Sequence, residues 1–226
     1  MPMKVLGLLL AVLLVFAIPL AYALPSPIKF QRSIPYTAFN TTSATVYEVG
    51  SPITAPFEIN IVNSLTYSST GTKGAIIKIQ DAKTGSMNAF EIVVYNTKAI
   101  DINYTDKVTG TTTRVATVAG SENDKIPREI MIENLGTSIN VYDLTNNKQV
   151  MKDFVLPNTF NIVAISAYGN SSTESVATDG YVTVYAGGLN PSKNVAVSFN
   201  SFLPLIGAVV GISVVLAVIN KLKSRV

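Results

Sequence analysis

Along the middle of the chain, apolar side chains recur at every second position. In Phe57-Glu58-Ile59-Asn60-Ile61 they alternate with polar ones, and they do so again at Phe90, Ile92 and Val94 and at Ile100, Ile102 and Tyr104. A period of two puts alternate side chains on one face of an extended backbone, so each segment predicts a strand with one buried face. Further runs rich in Val, Ile, Thr, Tyr and Phe predict strands at 75–79, 129–132, 138–142, 160–167, 181–185 and 195–199. Turn-forming clusters separate them, at Thr70-Gly71-Thr72-Lys73-Gly74, Thr84-Gly85-Ser86, Thr109-Gly110 and Asn146-Asn147. No segment between them carries the 3.6-residue period of an amphipathic helix. Strand, turn, strand at short spacing predicts an all-β antiparallel sandwich or jelly roll over residues 53–200. Residues 24–52, with Pro25, Pro27, Pro35 and Pro52, read as an extended lead-in that contributes one edge strand at 45–49.

Two other apolar stretches follow a different logic. Residues 1–23 open with Lys4, run apolar from Val5 to Leu20 and close on Ala21-Tyr22-Ala23, the A-x-A exit of a secretory signal peptide, with cleavage expected before Leu24. Residues 202–219 hold no charge and, as a helix, would span about 27 Å, close to the hydrocarbon thickness of a bilayer. One C-terminal transmembrane helix is therefore expected. Lys221, Lys223 and Arg225 in the tail 220–226 place that end on the cytoplasmic side and the sandwich outside. Gly207 and Gly211 form a G-x-x-x-G pair that would let two such helices approach closely and the chain self-associate.

Charge changes its meaning under this topology. The formal net charge is +3, but residues 24–200 hold 13 basic and 14 acidic side chains, a balance of −1, so no nucleic-acid partner is expected. The chain has no Cys, no His and no Trp. That excludes disulfides, thiol and imidazole catalysis, and zinc sites of the usual ligands. Glu129-Ile130-Met131-Ile132-Glu133 sets two carboxylates on one strand face, but Ile130 and Ile132 claim the core side and leave both acids in solvent. No catalytic residue is assigned, and the chain is expected not to be an enzyme. No cofactor is expected either; calcium stays open, with loop oxygens from Asp81, Asp106, Asp143 and Asp179.

Three sequons, at Asn40, Asn103 and Asn170, are expected glycosylation sites on an exported chain. Tyr181 and Tyr185 share a strand face opposite Val182 and Val184 and would offer a stacking platform for a sugar ring or a protein partner.

The order of these strands resembles the concanavalin A-like or laminin G-like lectin jelly roll over residues 53–186. The resemblance is carried by Phe57-Glu58-Ile59-Asn60-Ile61, Gly74-Ala75-Ile76-Ile77-Lys78-Ile79, the pair Phe90–Tyr95 and Ile100–Tyr104, then Arg128–Glu133, Ile139–Asp143 and the closing runs Ile165–Gly169 and Gly180–Tyr185. It implies a lectin-like binding or adhesion protein for a glycan or glycoprotein. The low charge and the wealth of hydroxyls and amides resemble envelope and surface-layer proteins of archaea and their viruses. The sequence thus predicts a protein anchored in a cell membrane or virion envelope, N-terminus outside, that works by recognition. The alternative is a structural subunit of a coat, surface layer or filament, its chains pairing through an edge such as 160–167.

Overall fold

The computed structural model describes residue 25 and residues 27–190, and these form strands joined by short turns. In chain order they are β1 (Ile28–Pro35), β2 (Thr45–Ile53), β3 (Phe57–Asn63), β4 (Thr66–Tyr67), β5 (Gly74–Gln80), β6 (Ala89–Tyr95), β7 (Ile100–Thr105), β8 (Thr112–Val118), β9 (Glu129–Asn134), β10 (Ser138–Asp143), β11 (Lys148–Val155), β12 (Ile162–Gly169), β13 (Ala177–Asp179) and β14 (Tyr181–Gly187). The helical content among the described residues is one 3-10 turn, Tyr36–Phe39.

Two six-stranded antiparallel sheets result, in the orders β1-β14-β3-β9-β10-β11 and β2-β12-β5-β6-β7-β8; β4 and β13 pair separately. Alternation explains why they stack. Ile59 and Ile61 of β3, Ile130 and Ile132 of β9, and Val182 and Val184 of β14 meet Ile77 and Ile79 of β5, Ile92 of β6 and Ile102 of β7 in one core, all of them buried. At one end the core is aromatic: Phe90 packs against Tyr104 with ring centroids 4.9 Å apart and against Phe160 at 5.4 Å, and Phe154 lies 5.4 Å from Tyr104. Tyr67 clasps the sheets together, accepting from Asn63 Nδ2 of β3 at 3.1 Å and donating to the Val94 carbonyl of β6 at 3.1 Å.

The expected strands within 57–61, 75–79, 90–94, 100–104, 129–132, 138–142 and 181–185 all form, most of them a residue or two longer. Residues 24–52 are not a mere lead-in. β1 pairs with β14 and β2 with β12, so each sheet takes one strand from this stretch. The run 160–167 is not an edge. Its strand, β12, lies between β2 and β5 with both sides hydrogen-bonded, so it has no free edge to offer another chain. The edges are β1 and β11 in one sheet and β2 and β8 in the other.

No helix among the described residues is long and apolar enough to cross a membrane. The expected signal segment 1–23 with Ala21 and Ala23, the strand 195–199, the helix 202–219 with Gly207 and Gly211, and the tail 220–226 lie outside the described residues.

Candidate functional site

The sheet β2-β12-β5-β6-β7-β8 turns a polar face away from the core. Strand register sets its side chains in lateral rows. Ser166 of β12 lies opposite Lys78 of β5, Lys78 opposite Glu91 of β6, Glu91 opposite Asn103 of β7, and Asn103 opposite Arg114 of β8. At about 4.8 Å per strand this row is roughly 19 Å long. The neighbouring row reads Tyr168, Ile76, Val93, Asp101 and Thr117.

Two carboxylates organise the face. Glu91 accepts from the Tyr168 hydroxyl at 2.8 Å and from Asn103 Nδ2 at 3.5 Å, and it pairs with Lys78 Nζ at 3.6 Å. Asp101 accepts from the Thr117 hydroxyl at 2.6 Å and the Tyr95 hydroxyl at 3.2 Å and pairs with Arg114 Nε at 3.7 Å. Burial first, and then the neighbouring Glu91 carboxylate, push the Tyr168 hydroxyl well above the usual tyrosine pKa; burial and Asp101 raise Tyr95 in the same direction. Lys78 and Glu91 are 22% and 15% exposed, whereas the Arg114 side chain is 62% exposed. The carboxylates are thus held in place while the guanidinium remains open to a ligand. Planar forks of this kind match pairs of adjacent hydroxyls, with Arg donating, carboxylates accepting and Asn doing both.

The outer face of the other sheet holds the acids that the sequence singles out. Ile130 and Ile132 face the core and Glu129 and Glu133 do not. Their cross-strand partners differ: Val62 stands opposite Glu129, but Glu58 of β3 stands opposite Glu133. Asn60 Nδ2 donates to Glu58 at 2.6 Å, and Tyr142 hydrogen-bonds Glu133, which together with burial raises the Tyr142 pKa. Tyr181, half exposed, and Tyr185, partly buried, lie on this same face, with Thr183 between them joined to Ser33 by a hydroxyl pair at 3.0 Å. Tyr185 sits opposite Asn60, next to the carboxylate pair.

The sequons differ in what their amides do. Asn40 uses both ends of its amide: Oδ1 accepts from the backbone of Val176 at 2.8 Å and Ala177 at 3.0 Å, and Nδ2 donates to the Ala177 carbonyl at 2.9 Å. Asn103 belongs to the polar row. Asn170 is exposed, with Oδ1 bound to the Gly74 amide at 2.9 Å and Nδ2 to the Thr72 carbonyl at 3.3 Å.

The loop acids put forward for calcium each fasten their own turn. Asp81 accepts from the backbone and side chain of Asn88, Asp106 from Val108, Asp143 from Thr145 and Asn146, and Asp179 from Gly180. Among the described residues no three His, Cys, Asp or Glu side chains gather as metal ligands would.

No protein-family model and no curated protein sequence matches the chain. Among solved structures it is similar to a β-fructofuranosidase from Schwanniomyces occidentalis complexed with fructosyl-erythritol, at 12% identity and a TM-score of 0.44 over 70% of this chain and 33% of that one. It is similar to a mutant NanB sialidase from Streptococcus pneumoniae at 12% identity and a TM-score of 0.44, over 74% of this chain and 27% of that one. It is also similar to sheep galectin-11 complexed with glycerol, at 11% identity and a TM-score of 0.40, over 64% of this chain and 97% of the galectin. The chain therefore spans about a third of the fructofuranosidase and most of the galectin.

Glycoside hydrolases stand beside galectins in this group, and that overturns the expectation that the chain is not an enzyme. The physical reason lies in the carboxylates. Missing imidazole and thiol groups leave carboxylate chemistry open, and Glu133 has a second acid, Glu58, directly across the sheet.

Proposed function

We propose that this chain is a glycan-binding protein and that the outer face of β5, β6, β7, β8 and β12 is its recognition surface. The observation that carries the reading is the row Lys78–Glu91–Asn103–Arg114, in which two cations flank a carboxylate and an amide on four adjacent strands, and Glu91 and, in the next row, Asp101 are fixed by neighbours before any ligand arrives. Preorganised polar groups avoid the ordering cost that flexible ones meet on binding. Tyr168 and Tyr95 add aromatic area beside the row. The signal-like segment 1–23 and the uncharged segment 202–219 support a protein anchored in a cell membrane or envelope, with this face outside.

A glycan array read with the full chain in detergent, wild type against Arg114→Gln, tests the reading. Binding that the substitution weakens about tenfold supports it, that being the scale of one or two charge-assisted hydrogen bonds. Silence of the wild type across the array would turn the assignment toward a structural subunit of a surface assembly.

One observation favours a second reading, a carboxylate-only glycoside hydrolase. Glu58 and Glu133 are directly opposed in register and set two carboxylates side by side on one sheet face, the pair of acids that such chemistry requires. It predicts release of aryl alcohol from aryl glycosides, abolished in Glu133→Gln and untouched by Arg114→Gln.

A further inference from the structure

At the aromatic end of the sandwich, the turn between β7 and β8 and the end of β11 border an open cleft of about 510 Å³. Its two walls differ in chemistry. One is apolar: half-buried Phe154 and exposed Pro157, backed by the ring of Tyr104, which is 6% exposed. That ring is locked from below, since its hydroxyl donates to Asn88 Oδ1 at 3.1 Å and its face packs on Phe90 and Phe154. The other wall is polar: Asp106, Thr111 and Thr113. Asp106 Oδ1 accepts from the Val108 amide at 2.7 Å, while its Oδ2 and the Thr111 and Thr113 hydroxyls take no hydrogen bond among the described residues. Thr113 lies opposite Tyr104 on the core side of β8, whereas Arg114 points to the recognition face, so the cleft and the row are on opposite sides of one edge strand.

A rigid aromatic floor against a wall of unused acceptors and donors fits a ligand with one apolar face and a hydroxylated rim. We propose that this cleft is a separate carbohydrate subsite that takes one neutral pyranose ring, its C–H face on Phe154 and Pro157 and its hydroxyls on Asp106, Thr111 and Thr113. The volume admits a single ring with its shell of water, and the Asp106 carboxylate disfavours anionic sugars. The subsite does not depend on the recognition face being the main site.

Saturation-transfer NMR on the full chain tests it, with methyl β-D-galactopyranoside and methyl β-D-glucopyranoside as probes and choline as a cationic control. Thr111→Val with Thr113→Val removes the hydroxyls while keeping β-branched side chains suited to strand and turn. The wild type should transfer saturation to the ring C–H protons of a pyranoside, and the double variant should bind it about tenfold more weakly, as expected for two lost neutral hydrogen bonds. Because Arg114 belongs to the proposed recognition face, the comparison is repeated in an Arg114→Gln background, where the loss caused by the double variant should be the same. No saturable transfer to either pyranoside overturns the proposal, as does a response to choline alone. A signal that survives in the double variant and disappears in Arg114→Gln overturns it as well, while leaving the recognition face standing.

Discussion

Tyr168 reaches diagonally over β5 to place its hydroxyl 2.8 Å from Glu91 Oε1, joining β12 to β6 across a strand that lies between them. The contact fixes the acid at the centre of the polar row. Tyr168→Phe should lower folding stability by about 1.5–3 kcal/mol, the worth of a hydrogen bond to a charged acceptor, in a denaturant titration. It should also weaken glycan binding, because Glu91 then keeps only Lys78 and Asn103 to orient it.

Alkaline pH should unfold this protein through its tyrosines. Tyr67, Tyr95, Tyr104, Tyr142 and Tyr168 all have hydroxyls raised above 10.0, burial being the leading cause in each, with Tyr104 pushed up to about 12. A raised folded-state pKa means that the unfolded chain loses its proton first. The stability these groups contribute is fully present below pH 10 and falls as pH climbs through the folded values. Thermal melts should be flat from about pH 7 to 9 and drop steeply above 10, and Tyr104→Phe should make the drop shallower.

At the acid end the sensitive contact is Asp124, held down to about 2 by the Lys148 ammonium at 2.6 Å and by the Ser121 amide. Its folded pKa lies below the usual 3.8, so its contribution is present above that value and disappears as pH falls toward 2. Lys148→Gln should remove part of the acid dependence of the melting temperature and leave the neutral-pH fold intact.

Glycopeptide mass spectrometry after expression in a glycosylating host should find Asn170 occupied and Asn40 bare, because Asn170 is exposed and its amide nitrogen holds the Thr72 carbonyl only at 3.3 Å, whereas Asn40 is partly buried and its nitrogen holds the Ala177 carbonyl at 2.9 Å. Asn40→Ala should cost about 2–4 kcal/mol, since it strands two buried amide donors and one carbonyl. Occupancy at Asn103 should block glycan binding by covering its own row.

Gly180 joins β13 to β14 with a φ of +93°, and a Cβ there would lie 2.4 Å from the Ser64 carbonyl oxygen. Its own carbonyl receives the Tyr36 amide. Gly180→Ala meets both strain and collision, and a loss on the order of 3 kcal/mol is expected in equilibrium unfolding.

The strands that the sequence revealed are those with a clean two-residue period, such as Ile59/Ile61 and Ile100/Ile102, where one face must be buried. β1 (IKFQRSIP) escaped because it is an edge with few buried side chains and a terminal proline. β8 (TTRVATV) escaped because a bulge opposite Ile102 and Asn103 shifts its alternation at Val115. In β11, Val150 and Met151 are buried side by side and Asp153 turns to a φ of +47°, which erases the period. The recognition face was harder still. Lys78, Glu91, Asn103 and Arg114 each read as an ordinary solvent-side residue of its own strand, and only the pairing of four consecutive strands aligns them. Their outward positions were legible; their adjacency is a property of register. For the same reason Glu133 was weighed against Glu129 on its own strand, when its neighbour in space is Glu58.

The place of β12 between β2 and β5, and of β14 between β1 and β3, has a consequence for biosynthesis. Both sheets are left gapped until the last quarter of the described chain has left the ribosome. Until then the nascent polypeptide presents the unfilled sides of β2, β3 and β5 to every neighbour, and distant pairings of this kind close slowly. Whatever escorts the chain must hold it open until β14 arrives, so a ribosome stalled before residue 181 should yield an aggregation-prone fragment rather than a smaller folded protein.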